Sequence, residues 1–136
     1  MFQKILHLRA RPRGFHLITG EIEDVLKACT VKNGIVSLFI KHTSASLSIN
    51  ENADPSVRTD MEAFFRDLTD GKGYYLHTYE GADDMPAHIK SSLLGSSLTI
   101  PLTGGRLNLG IWQGIYLGEH REHASGREIV ITVLGR

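Results

Sequence analysis

From His42 to Asn50 the chain alternates strictly. Ala45, Leu47 and Ile49 share one parity, and His42, Ser44, Ser46, Ser48 and Asn50 share the other. Side chains on an extended strand point to opposite faces with period two. The segment therefore reads as a strand with one apolar face and one row of polar groups. The largely apolar run Ile35–Ile40 just before it predicts a strand buried on both faces. A polar row beside a buried strand leaves three readings: it meets solvent, lines a pocket or lines a subunit interface.

The other local signals change often, as in a compact α+β domain. Residues 2–10 and 14–18 read as short strands around Arg11–Pro12–Arg13–Gly14. Thr19 is placed to cap a helix from about Gly20 to Cys29, with Glu21, Glu23 and Asp24 early and Lys27 late. Asp54 and Pro55 open the clearest helix, in which Val57, Met61, Phe64, Phe65 and Leu68 form one apolar stripe, read as core. Tyr74–Tyr79 is a short strand candidate. Asp83–Pro86 starts another helix that Gly95 stops. Leu98, Ile100 and Leu102 alternate, Gly104–Gly105 turns a hairpin, and Leu107, Leu109 and Ile111 continue the sheet. Gly110, Gly114 and Gly118 suggest bends or close backbone approach, and Arg127–Leu134 is the closing strand.

Composition bounds the function. The length of 136 residues fits one domain, residues 1–136. Fifteen Lys and Arg balance fifteen Asp and Glu, which argues against gripping nucleic acid through net charge. No apolar run approaches the ~18–20 residues of a membrane span, so no membrane partner is expected. The start lacks a signal-peptide pattern, and one cysteine, Cys29, fits a reducing cytoplasm. Cys29 and the apolar body of Trp112 read as core or interface. Seven histidines then remain as the pH-sensitive groups.

Asp84 and His88 stand at i and i+4, on one helix face. A carboxylate there can orient an imidazole base or share a metal with it. His77 lies eleven residues before His88, across a loop that a strand–helix turn could fold back. Imidazoles with a carboxylate suit zinc or another divalent transition metal, though the spacing matches no established metal signature. Glu119 ends an apolar strand, facing either a cleft or solvent. His120 and His123 converge only on a turn or helix. Glu51, Asn52 and Asp54 either complete a site with His42 or serve the helix entry. There is no Walker A motif, dinucleotide fingerprint or serine elbow.

Three segments together carry a resemblance: His42–Ser46 running into Asn50–Pro55; Asp83–Lys90 with Ser92–Gly95; and Gly105–Leu107, Leu109–Gly110 and Trp112–Ile115. The whole chain resembles the YjbQ-like family of small proteins, often labelled secondary thiamine-phosphate synthases. The resemblance implies an α+β fold, an antiparallel-rich β-sandwich with flanking helices. It implies a homotrimer with sites near subunit boundaries. The family's polar motif positions fall on His42, Asn50, Glu51, Asn52, His77, Asp84, His88, Gln113 and Glu119. One departure is visible: Ile111 stands where the family usually has Thr before Trp-Gln.

His42, Glu51, Asn52, Gln113 and Glu119 are thus expected as catalytic groups. His77, Asp84 and His88 are expected to hold a divalent metal, zinc or magnesium. The implied reaction joins a phosphorylated thiazole to an aminomethylpyrimidine diphosphate, which needs cationic donors for the diphosphate. Lys41, Lys90 and Arg106 are the candidates for that. A trimeric module holding a metal or a small anionic ligand without turnover uses the same histidines. A third reading makes the polar row an inter-subunit hydrogen-bond network.

Overall fold

The computed structural model describes residues 1–136. Eight strands form two antiparallel sheets that face each other across one apolar core. The larger sheet orders β1 (Phe2–Leu8), β8 (Arg127–Gly135), β3 (Gly34–Ile40), β5 (Ser97–Thr103) and β6 (Arg106–Leu107) from edge to edge. The smaller orders β2 (Gly14–Leu17), β7 (Gln113–Glu119) and β4 (Ala45–Glu51). The α+β sandwich with flanking helices is therefore the architecture. Helix α1 (Thr19–Leu26) supplies buried Ile22 and Leu26 to the core. No helix is long and apolar enough to cross a membrane.

The core is built by alternation. Val36, Leu38 and Ile40 of β3 and Ile129, Ile131 and Val133 of β8 point inward, against Ala45, Leu47, Ile115 and Leu117 of the smaller sheet. Burying side chains of this size contributes roughly 1.5–3 kcal/mol each. The expectation that Ile35–Ile40 is buried on both faces fails. Ile35 and Phe39 are 46% and 49% exposed, because no helix covers the outer face of the larger sheet in one chain. Ile5, Val130 and Phe39 neighbour one another across that face, as do Leu134, Ile35 and Pro101.

The polar row of β4 is covered instead. Helices α2 (Pro55–Thr69) and α3 (Asp84–Leu94) lie on the smaller sheet, α2 on β2 and α3 on β4. Under them is a second, polar layer. Ser46 Oγ and His120 Nε2 share a 2.8 Å hydrogen bond, and both residues are fully buried. Gly118 lies beneath that pair, where a Cβ would come within 2.8 Å of the His120 ring. Arg13 reaches from before β2 to Glu62 at 2.8 Å and to Asp70 at 2.8 Å. Lys90 Nζ is buried without a hydrogen bond, 3.8 Å from Asp70.

This layer explains why the α2 stripe is only partly core: Phe65 packs against Phe15 of β2 with ring centroids 6.0 Å apart, and Val57 and Met61 are half-buried. Phe64 and Leu68 are 62% and 47% exposed, and Thr69 is the helix's only buried residue. The sheet face below carries hydroxyls and an imidazole beside Phe15, so Glu62 and Asp70 turn toward it and the Phe64–Leu68 side of the stripe is left outside. Asp54 caps α2 by accepting from the Ser56 N–H, as its position predicts. Thr19 does not cap α1: its hydroxyl accepts the Ile115 N–H, tying the helix to β7. Tyr74–Tyr79 is loop, not strand, and pairs with neither sheet. The hairpin strand stops at Leu107, and Ile111 is exposed in a turn.

Burial holds the His120 pKa down to about 3, and the cations Lys90, Arg13 and Arg127 push the same way. The folded state therefore binds fewer protons here than the unfolded chain, whose histidine titrates near 6.5. This contribution is complete above pH 6.5 and is lost as pH falls from 6.5 toward 3. Urea unfolding between pH 7 and 5 should show stability falling by up to about 1.4 kcal/mol per pH unit. His120→Gln should flatten that slope; an unchanged slope would assign it to other groups.

Candidate functional site

The site stands where the chain crosses between the sheets. After β3 it turns at Lys41–Ser44 into β4, and after β7 it returns through residues 120–126 to β8. The two crossings are stitched together. The Lys41 N–H donates to the Glu128 carbonyl, the His120 N–H to Ser44, and the Glu128 N–H to His42 Nε2 at 2.8 Å. Arg127 grips Glu119 with two bonds, Nε–Oε1 at 2.8 Å and Nη2–Oε2 at 2.6 Å, and also donates to the Ser44 carbonyl. Both side chains are buried.

Helix α3 arrives at the same corner. Its first residue, Asp84, is buried, and both oxygens of its carboxylate are occupied. Oδ1 accepts Arg121 Nη1 at 2.7 Å. Oδ2 lies 2.6 Å from His77 Nε2 and 3.1 Å from His88 Nε2. Burial raises the Asp84 pKa, but the His77 hydrogen bond and the charges of His88 and Arg121 outweigh it and hold the carboxyl below its usual range. Arg121 also bonds Asp83 Oδ2 and the Glu80 carbonyl, so it fastens the loop carrying His77 to the start of α3. The loop thus returns His77 to His88, with ring centroids 5.2 Å apart.

His88 Nδ1 lies 2.7 Å from the Thr43 carbonyl. A carbonyl only accepts, so the Nδ1 proton is committed there. In the neutral ring Nε2 then presents a lone pair to a carboxylate oxygen, acceptor against acceptor. A proton or a cation resolves that contact. The Nδ1–H to carbonyl bond is also the arrangement that orients metal-bound imidazoles. Donor atoms of His77, Asp84 and His88 all lie within 4.8 Å of one another. Two imidazole nitrogens and one carboxylate oxygen are a chemically sound divalent transition-metal set, with positions left for substrate.

The other expected residues divide. His42 borders the triad: a depression of about 540 Å³ runs from His88 to His42, Thr43 and Ser96. Burial, and then Arg127, lower the His42 pKa, with Glu128 opposing. Glu119 stands two residues before Arg121, which bonds the triad's Asp84, but is occupied by Arg127. Glu51, Asn52 and Gln113 meet at the far end of β4, roughly 20 Å along a strand of this length. There Asn52 Nδ2 donates to the Ile111 and Gln113 carbonyls, Gln113 Oε1 accepts the Gly110 N–H, and Glu51 Oε2 accepts the Asp54 N–H. The Tyr116 hydroxyl donates to the Glu51 carbonyl. The triad and this amide cluster do not meet within one chain.

His120 faces the polar layer, and His123 is exposed. Sequence reasoning missed Arg121 and Arg127. Their partners lie 37 and 8 positions away, and His120-x-x-His123 draws attention to the flanking rings. The charge inside the run Glu119–His120–Arg121–Glu122 was the available signal.

The family model described as UPF0047 protein YjbQ-like matches residues 4–136. The chain is 54% identical to UPF0047 protein YjbQ of Salmonella typhimurium, over 98% of both chains. It is 46% identical to a UPF0047 protein of Synechocystis, over 98% of this chain and 91% of that one. A crystal structure of an uncharacterised YjbQ/UPF0047 protein from Clostridium acetobutylicum superposes with a TM-score of 0.87 at 34% identity, covering 96% of this chain and 99% of that one.

Removing one partner of the Glu119–Arg127 pair leaves a buried charge unmatched, which typically costs about 3–5 kcal/mol. Glu119→Gln should lose stability of that order in denaturant titration. A loss below about 1 kcal/mol would show that the crossover does not depend on the pair.

Proposed function

The chain belongs to the UPF0047 YjbQ-like family, and on that premise we propose that it is a metal-dependent enzyme acting on small phosphorylated substrates. The observation that carries the reading is the convergence of His77, Asp84 and His88 within 4.8 Å, with His88 Nδ1 committed to the Thr43 carbonyl and Nε2 3.1 Å from Asp84. His77, Asp84 and His88 would hold the ion. A set with two imidazoles favours zinc or another transition ion over magnesium, which prefers oxygen ligands. Such an ion supplies Lewis-acid stabilisation of an anionic leaving group.

The finer reading is thiamine-phosphate synthase chemistry. A ring nitrogen of the thiazole phosphate displaces diphosphate from the pyrimidine methylene, forming a C–N bond and breaking a C–O bond. His42 adjoins the triad and is suited to act on substrate there. Glu119 acts by positioning, through Arg127 and the Arg121 N–H. Arg121 joins His77 and His88 in keeping Asp84 ionised, and steadies the His77 loop. The single buried Cys29 suits a reducing cytoplasm.

Two measurements test this. Elemental analysis of the purified protein should find about one transition-metal ion per chain, and His88→Ala should lose it while staying folded. Pyrophosphate should be released from the two thiamine precursors, and not by His77→Ala/His88→Ala. Metal without release would favour the binding module; metal content unchanged in His88→Ala would remove His88 from the ligand set.

The homotrimer is the second part of the proposal. A catalytic role for Glu51, Asn52 and Gln113 requires a neighbouring chain to bring them to a triad. The outer face of the larger sheet, with Ile5, Ile35, Phe39 and Leu134 exposed, is suited to self-association. Light scattering after size exclusion should give three times the 15.1 kDa chain mass, and Phe39→Asp should reduce it. A wild-type monomer at micromolar concentration would exclude the trimer.

A further inference from the structure

Two adjoining depressions of about 550 and 540 Å³ share His42, Thr43 and Ser96. One opens to Lys41 and Arg127, the other to His88 and Ser92. Their linings contain cations, imidazoles and hydroxyls, and no carboxylate. We infer that this continuous cleft is a phosphoryl-binding subsite, in which Lys41, the His42 Nδ1–H and the hydroxyls of Thr43, Ser92 and Ser96 receive a tetrahedral dianion.

The hydrogen bonding decides which groups are free to do this. His42 Nε2 accepts the Glu128 N–H, so the neutral ring keeps its proton on Nδ1 as a fixed donor. Lys41 is exposed and enters no ion pair, so its ammonium is available to a ligand. Arg127 is spent: Glu119 neutralises it and the Ser44 carbonyl takes a further N–H, leaving it as a wall. The Ser91 hydroxyl is likewise used by the Ala45 carbonyl. The carboxylates behind the lining are already engaged: Glu119 by Arg127, and Asp84 by Arg121, His77 and His88, while Glu128 stands 3.9 Å from His7 on the outer face.

Donors spread around a cavity suit a tetrahedral oxyanion better than a planar carboxylate, and bonds to an ionised acceptor are the stronger class. The other two expected diphosphate cations are placed elsewhere. Lys90 is sealed under α3, and Arg106 lines a separate depression with Lys27 and Lys32. Lys41 is the lysine that serves the triad.

The subsite deepens the proposed function and rests on it for delivery of the substrate toward His88. Its anion affinity stands apart from the metal and is measured without it. The whole chain, stripped of metal by a chelator, is titrated calorimetrically with inorganic phosphate, and with acetate as the planar control. One phosphate should bind per chain, and acetate should not. Lys41→Ala and His42→Ala should each weaken phosphate at least fivefold, while Arg106→Ala, in the separate depression, should change it less than twofold. If His42→Ala fails to fold, Lys41→Ala decides, since an exposed lysine contributes little to the fold. No phosphate binding, equal binding by Lys41→Ala, or a loss in Arg106→Ala as large as in Lys41→Ala overturns the subsite. Metal content measured on the same variants reports separately on the triad.

Discussion

The buried Arg127–Glu119 pair is the contact on which the corner of the sandwich depends. Both chain segments that pass between the sheets are tied to it: Arg127 opens β8 and bonds the Ser44 carbonyl before β4, while Glu119 ends β7 and accepts the Arg121 N–H. Two ions out of water are costly, and the bidentate geometry with further hydrogen bonds is what offsets that cost. The consequence extends beyond stability. Fixing Ser44 fixes the Thr43 carbonyl that orients His88, and fixing the Arg121 backbone aims its guanidinium at Asp84. The triad is thus held by the same corner that closes the sandwich.

A second layer separates that corner from the solvent side of the helices. Natural cores bury polar groups only when partners satisfy them, yet Lys90 Nζ, His120 Nδ1 and Ser48 Oγ lack hydrogen bonds here. Burial lowers the Lys90 pKa, Arg13 adds to that, and Asp70 with Glu62 only partly oppose it. The layer is therefore the least satisfied part of the molecule. Its polarity also sets how α2 and α3 sit. Beside the Phe65–Phe15 contact they meet the sheet through charged and hydroxyl groups, whose geometry is directional.

The fold was legible where periodicity and turn chemistry agreed. The Asp54 cap, the alternation of β4 and the close approach at Gly118 all followed from local residues. The triad was partly legible, because Asp84 and His88 share a helix face. What failed depended on distant partners. Phe64 and Leu68 looked like core because the sequence does not reveal that the opposing face is polar. Phe39 looked doubly buried because coverage of the outer face is decided by packing between elements, or between chains. Arg121 and Arg127 were silent because a guanidinium has no periodic signature.

The same reasoning separates the two polar clusters that motif reading had merged. His42 and Glu51 flank one strand, so the sequence presents them as neighbours. An extended strand instead carries them apart, by roughly 3.3 Å per residue. The groups near His42 are ionisable rings, hydroxyls and a free ammonium, which suits charge transfer and anion binding. Those near Glu51 are amides whose hydrogen bonds mainly close turns: Asn52 on two carbonyls, Gln113 on the Gly110 N–H. Within one chain that chemistry is architectural. It also bears on Ile111, the departure from the family pattern. Within one chain a hydroxyl at that position would add a donor to an exposed turn remote from the triad, so Ile111 changes the surface of the amide cluster and leaves that chain's own His–Asp–His geometry untouched.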